Sequence, residues 1–214
     1  MREEIIMPKN NTAKTIVTIF IGVLLLIGAV YLVFALTQAD SSSSSDSTDL
    51  SKLDWYVPDF TYTNQDGKPF GLSDLKGHVW LTDMIFTNCR TVCPPMTANM
   101  AQLQQKLKEK GVEVDIVSFS VDPERDTPDA LKAYGEKFGA DFSQWHFLTG
   151  YSPEQIEELS YNTFKATLQK EENSDQVIHV TTFYLVDKSG KIVRKYDGLN
   201  PPYDTIIKDI KAFR

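Results

Sequence analysis

Residues Thr15–Leu36, TIVTIFIGVLLLIGAVYLVFAL, run for 22 positions without a charged side chain. A run of that length is enough to cross the hydrocarbon core of a bilayer as one helix. Arg2, Lys9 and Lys14 precede it, diluted by Glu3 and Glu4, and only Asp40, Asp46 and Asp49 follow before Lys52. This charge bias puts residues 1–14 in the cytoplasm and everything after Leu36 outside. A cleaved signal peptide is the rival reading, with Thr37-Gln38-Ala39 as its cleavage site. Its apolar region would exceed the roughly 15 residues such peptides use, so an uncleaved anchor at the cell membrane is the expectation.

The next stretch, residues 37–51, is TQADSSSSSDSTDLS. It is polar, low in complexity and rich in serine, the composition of a flexible tether. From residue 52 to 214 the composition turns globular, and about 160 residues is the size of one domain with one core. The chain holds 22 Lys and Arg against 29 Asp and Glu, for a net charge of −7. That balance offers no electrostatic basis for binding nucleic acid.

Within this domain, strand-like and helix-like segments alternate. HVWLTDMIF (78–86) is an apolar run of strand length, and VEVDIVSFSV (112–121) is a second. Between them Met96, Met100, Leu103 and Leu107 recur on one helical face, and Gly111 stops the helix. Thr127 and Pro128 open another helix as cap and first residue. WHFLTG reads as a short strand, and Ser152-Pro153-Glu154 starts a further helix. VTTFYLVDKSGKIVRKYDG reads as a hairpin turning at Asp187–Gly190, and residues 202–213 close the chain as a helix. The expected fold is therefore α/β, a mixed sheet covered by helices on both faces with a hairpin at one edge.

The chain has two cysteines, Cys89 and Cys93, in TNCRTVCPPMTANM. They fall where a buried strand ends and a helix begins. Residues four apart on a helical turn share a face, and Cα atoms at that spacing can be bridged by a disulfide. A helix N-terminus favours thiolate over thiol, although Pro94 and Pro95 bring no N–H to it. Such a pair is suited to redox chemistry or to metal binding. A purely structural disulfide is also open, but it would close a five-residue loop. The chain-entropy model gives that staple about 2 kcal/mol, little for a domain with an ordinary hydrophobic core.

VPDFTYTNQDGKPFGLSDLKGHVWL followed by FTNC resembles the opening of thioredoxin-like redoxins. FTNCRTVCPPMT, FSVDPERDTP and VIHVTTFYLVDKSGKIV are similar to the Sco (SenC/PrrC) family, across nearly the whole domain. The resemblance implies a thioredoxin-like fold and a role in assembling the dinuclear copper (CuA) site of cytochrome c oxidase, with subunit II as partner. It also implies a copper site on Cys89, Cys93 and His179. Two thiolates and an imidazole do suit Cu(I), or Cu(II) in a blue-copper-like arrangement, and suit structural zinc less well. Two other functions stay open. One is a thiol-disulfide reductase that keeps the oxidase cysteines reduced, served by a copper donor or a reductant protein. The other is a thiol peroxidase, which would need an Arg beside its thiolate; Arg90 should point away from Cys89.

Asp83 interrupts an apolar strand six residues before Cys89, and a buried carboxylate is costly without a partner or a task. Thioredoxins carry an aspartate at this offset, so the resemblance implies a proton acceptor for Cys93. A hydrogen-bonded structural role inside the sheet is the alternative. His78 is expected at the surface, and His146 as a hydrogen-bonded core or edge residue. Met96 and Met100 are expected in the core, and the acidic loop 122–126 as turn and cap chemistry. His179 is expected at the start of a strand.

Overall fold

A computed structural model of the 214-residue chain describes residue 16 and residues 21–32, 47–170, 174 and 176–214. The chain divides into two compact units, Met1–Ser45 and Asp46–Arg214. In the first unit, residues 21–32 form helix α1, with Leu24, Leu25, Leu26, Ile27 and Val30 exposed. The rest of the expected span Thr15–Leu36, except Ile16, lies outside the described residues. Among the described residues no helix is long and apolar enough to cross a membrane.

The second unit is built on an eight-stranded sheet in the order β1-β10-β9-β4-β5-β6-β2-β3. In chain order its elements are β1 (Thr48–Asp49), β2 (Thr61–Asn64), β3 (Pro69–Gly71), α2 (Leu72–Leu75), β4 (Trp80–Ile85) and α3 (Cys93–Glu109). There follow β5 (Asp115–Ser120), α4 (Pro128–Phe138), β6 (Trp145–Thr149) and α5 (Pro153–Phe164). A separate two-stranded ribbon comprises β7 (Gln169–Lys170) and β8 (Val177–Ile178). The chain ends with β9 (Thr182–Val186), β10 (Ile192–Asp197) and α6 (Tyr203–Phe213).

The centre of the sheet is parallel, β4 against β5 and β5 against β6. Parallel strands have covered connections on both faces, so both of their faces are buried. All six residues of β4 are buried, as are five of six in β5. The hairpin β9–β10 pairs antiparallel with β4. Its turn closes through Gly190, whose φ of 84° and N–H to the Asp187 carbonyl fit a glycine there.

The expected helices are present, and their starts follow the cap chemistry. Thr127 Oγ1 accepts from the Ala130 N–H, and Ser152 and Gln155 form a reciprocal capping box on α5. Met96, Met100, Leu103 and Leu107 are buried along α3. Two boundaries change. Thr48–Asp49, within the expected tether, pairs with β10, and Leu50 behind it is buried. The tether's last residues are thus part of the domain, because an apolar side chain follows the serine run. One edge of the sheet is β1, beyond the β9–β10 hairpin, and the other is a hairpin, β2–β3, which short strands of mixed polarity conceal in the sequence.

Candidate metal centre

Strand β4 ends at Ile85, and the chain reaches α3 through the loop 86–92. Cys89 lies in this loop, not on the helix, and Cys93 is the first residue of α3. The expectation that both thiols share a helical face is corrected accordingly. The loop instead folds Cys89 back over the helix end, where the Cys93 N–H donates to Cys89 Sγ at 3.3 Å. Pro94 and Pro95 lack an N–H, so in the first turn this donor is not repeated at the next two positions.

His179 arrives from 86 residues further along, and its Nε2 lies 3.0 Å from Cys93 Sγ. It sits in the loop after β8, not at the start of β9 as the sequence indicated. Its Nδ1 is 2.9 Å from the Val180 carbonyl. A carbonyl oxygen only accepts, so Nδ1 carries the proton and Nε2 keeps its lone pair. The Phe86 ring meets the imidazole edge-to-face at 5.9 Å. One donor atom from each of Cys89, Cys93 and His179 lies within 4.8 Å of the others, and all three residues are buried. Both cysteines are free thiols.

The two thiols are driven apart electrostatically. Cys89 is held well below the ordinary thiol range, first by a hydrogen bond from Cys93 and then by backbone N–H groups. Cys93 is pushed up, chiefly by burial and further by the charges of Cys89 and Asp83. Of the two sulfurs, Cys89 is thus the one at which thiolate is favoured. Cys89 is also the less buried residue, 7% exposed against 0%.

Asp83 is buried on β4, with Ser118 Oγ donating to its Oδ1 at 2.6 Å and Trp145 Nε1 donating in turn to Ser118 at 2.9 Å. Its Oδ2 has no hydrogen-bond partner among the described residues. Burial raises its pKa to about 6, opposed by the hydrogen bond from Ser118. Asp83 therefore has the structural hydrogen bond that one reading asked for. It also has an open oxygen and a charge felt at Cys93, which the other asked for.

Two anchors of the Cys89 loop escape a reading of the sequence alone. Asp126, in the acidic loop, is fully buried. Thr87 Oγ1 donates to it at 2.6 Å, Ser120 Oγ at 2.5 Å and the Thr87 N–H at 3.2 Å. Gln176 bonds to Asn88 and Arg90, on either side of Cys89. An aspartate in a turn-like motif and a glutamine in a polar stretch carry no sign of these distant contacts.

His78 is at the surface as expected, paired with Asp115 at 3.2 Å. His146 departs from expectation. Its ring stacks on Phe70 at 3.9 Å, but Nδ1 is buried without a hydrogen-bond partner among the described residues. Burial accordingly lowers its pKa.

A family model described as SCO1/SenC matches residues 48–213. The chain belongs to the SCO1/SenC family. The SCO1 protein homolog of Bacillus subtilis is 53% identical over 161 residues, which cover 75% of this chain and 83% of that protein. A solved structure of BsSco, described as a member of the Sco family of cytochrome c oxidase assembly proteins with a disulfide switch, is 51% identical. It superposes with a TM-score of 0.70 over 77% of this chain and 96% of its own. Arabidopsis thaliana ScoI, solved with copper bound, is 29% identical with a TM-score of 0.65, covering 74% of this chain and 99% of its own.

Proposed function

We propose that this chain is a membrane-anchored copper-binding assembly factor that delivers copper to, or prepares, the CuA site of cytochrome c oxidase subunit II. The observation that carries the proposal is the convergence of two sulfurs and an imidazole nitrogen within 4.8 Å. The donor set fits copper. Thiolates and imidazole are soft to intermediate donors that favour Cu(I) and tolerate Cu(II), and three protein ligands fall short of the four a structural zinc takes. Cys89, Cys93 and the Nε2 of His179 would hold the ion. The Val180 carbonyl fixes the imidazole tautomer that leaves Nε2 free, the usual work of a partner behind a ligating histidine.

The protonation pattern describes how the residues would load and release such cargo. Cys89 is already a thiolate and can act first. Cys93 must give up its proton, so loading releases that proton to solvent. The same asymmetry supports a second reading, a thiol-disulfide reductase that keeps the oxidase cysteines reduced. The low-pKa Cys89, the less buried of the two, attacks a partner disulfide as thiolate, and Cys93, once deprotonated, resolves the mixed disulfide. Both activities use the same sulfurs, so a Cys89–Cys93 disulfide and a copper-loaded site exclude each other.

The anchor in this proposal is the uncharged run Thr15–Leu36. Apolar side chains on all sides of a helix, as in residues 21–32, are what a membrane or a large core would cover. Deletion of the protein is expected to lower cytochrome c oxidase activity and spare quinol oxidases that lack CuA. Cys89→Ser, Cys93→Ser and His179→Ala should each fail to restore it. Full restoration by a Cys89→Ser/Cys93→Ser double variant would detach the thiols from the role, leaving family membership without shared function.

A further inference from the structure

Gln176 stands three residues before His179. Its Oε1 accepts from the Arg90 N–H at 3.3 Å, and its Nε2 donates to the Asn88 carbonyl at 3.1 Å. One side-chain amide therefore grips the backbone on both sides of Cys89. A primary amide carries a donor and an acceptor side by side, and here it pairs with residues 88–90 much as a neighbouring strand would. The grip has a support of its own. The Gln176 N–H donates to Ser174 Oγ at 3.1 Å, and the next two residues pair with β7 in the ribbon. Loop 86–92 has no ladder of its own, so its shape depends on side chains that reach it from elsewhere. Asp126 holds Thr87 on one flank, and Gln176 holds residues 88 and 90 on the other.

We propose that Gln176 is a positioning residue that couples the two halves of the site. By closing on the Cys89 loop it also sets where the segment 176–180 lies, and so brings His179 Nε2 to Cys93 Sγ. It acts through the backbone it ties together. The inference rests on the three-ligand reading of the site and adds to it the device that keeps the ligands at fixed separations before any ion arrives. Pre-ordering of this kind removes an ordering cost that binding would otherwise carry. Outer contacts that orient metal ligands typically change affinity by about 10- to 100-fold.

The test uses Gln176→Ala and Gln176→Glu, with thermal melting as the control on folding. Gln176→Glu keeps an acceptor for the Arg90 N–H but sets a carboxylate oxygen against the Asn88 carbonyl. In the reduced, metal-free protein, amide exchange at Arg90 should be faster in Gln176→Ala and closer to wild type in Gln176→Glu. The His179 ring resonances should shift in both. With a Cu(I) competitor, Gln176→Ala should bind about 10-fold more weakly than wild type. Folded variants whose His179 resonances match wild type would overturn the proposal, as would a Gln176→Ala variant of unchanged Arg90 exchange. A wild-type protein that takes up no copper would instead overturn the copper reading, while the metal-free measurements still judge the coupling.

Discussion

At the scale of single residues, the site depends on where protons sit. Thiolate is favoured at Cys89 by hydrogen bonds from Cys93 and backbone N–H groups, and disfavoured at Cys93 by burial and by the charge of Cys89. Copper loading at neutral pH should therefore release about one proton per ion, from Cys93. Titration of a weakly buffered sample checks this, and release of two protons would mean Cys89 is a thiol at rest. Asp83 makes a second prediction, with its sign set by linkage. Its folded pKa of about 6 lies above its ordinary value, so the folded state binds more protons than the unfolded one between roughly pH 4 and 6. Its favourable contribution is fully present below about pH 4 and is lost as pH rises through about 6. In Asp83→Asn the unfolding free energy should fall less over that window, by on the order of 1–3 kcal/mol. Identical pH slopes in urea melts of the two proteins would contradict the raised pKa. Asp83 also shows how far the sequence reaches at this scale. Its burial followed from one polar residue in an apolar strand. Its partner Ser118, itself held by Trp145, did not, because these residues come from other strands whose register the sequence does not display.

At the scale of elements, local chemistry was legible and distant chemistry was not. The starts of α4 and α5, the stripe along α3 and the β9–β10 turn rest on residues within a few positions of one another, so spacing reveals them. The two-residue strands β1, β7 and β8 have no periodicity to read. His179 was placed on a strand because the apolar run after it begins at once, whereas pairing of β9 starts only at Thr182. Gln176 and Asp126 meet their partners across 86 to 88 and 39 residues, and a contact of that range leaves no local pattern. One helix position is under a packing constraint that a test can isolate. A Cβ on Gly135 in α4 would lie 2.6 Å from Phe142 and 3.0 Å from Phe147. Overpacking costs about 1–3 kcal/mol, and the helix-propensity gain of alanine over glycine is only about 1 kcal/mol. Gly135→Ala should thus be neutral to destabilising by up to about 2 kcal/mol in chemical denaturation. Clear stabilisation would mean that Phe142 yields freely.

At the scale of the whole molecule, the parallel centre of the sheet positions the site. β4 and β5 run side by side and end at the same edge. There the loop after β4 carries Cys89 and the loop after β5 carries Asp126. The hairpin strand β9 lies on the other side of β4, so the segment leading into it brings His179 to that edge. Two separate stretches of chain thus supply the ligands, and a third braces the loop that carries Cys89. The central claim is that these stretches make one copper site from Cys89, Cys93 and His179. The most direct measurement is titration of the reduced domain with copper, read by absorption, beside Cys89→Ser, Cys93→Ser, His179→Ala and the oxidised protein. One tightly bound ion per reduced domain is expected, with an intense thiolate charge-transfer band for Cu(II). Either serine variant should lose the band, His179→Ala should weaken or shift it, and the oxidised protein should bind none. Unchanged spectra and affinity in all three variants, or stoichiometric binding by the disulfide form, would contradict that claim.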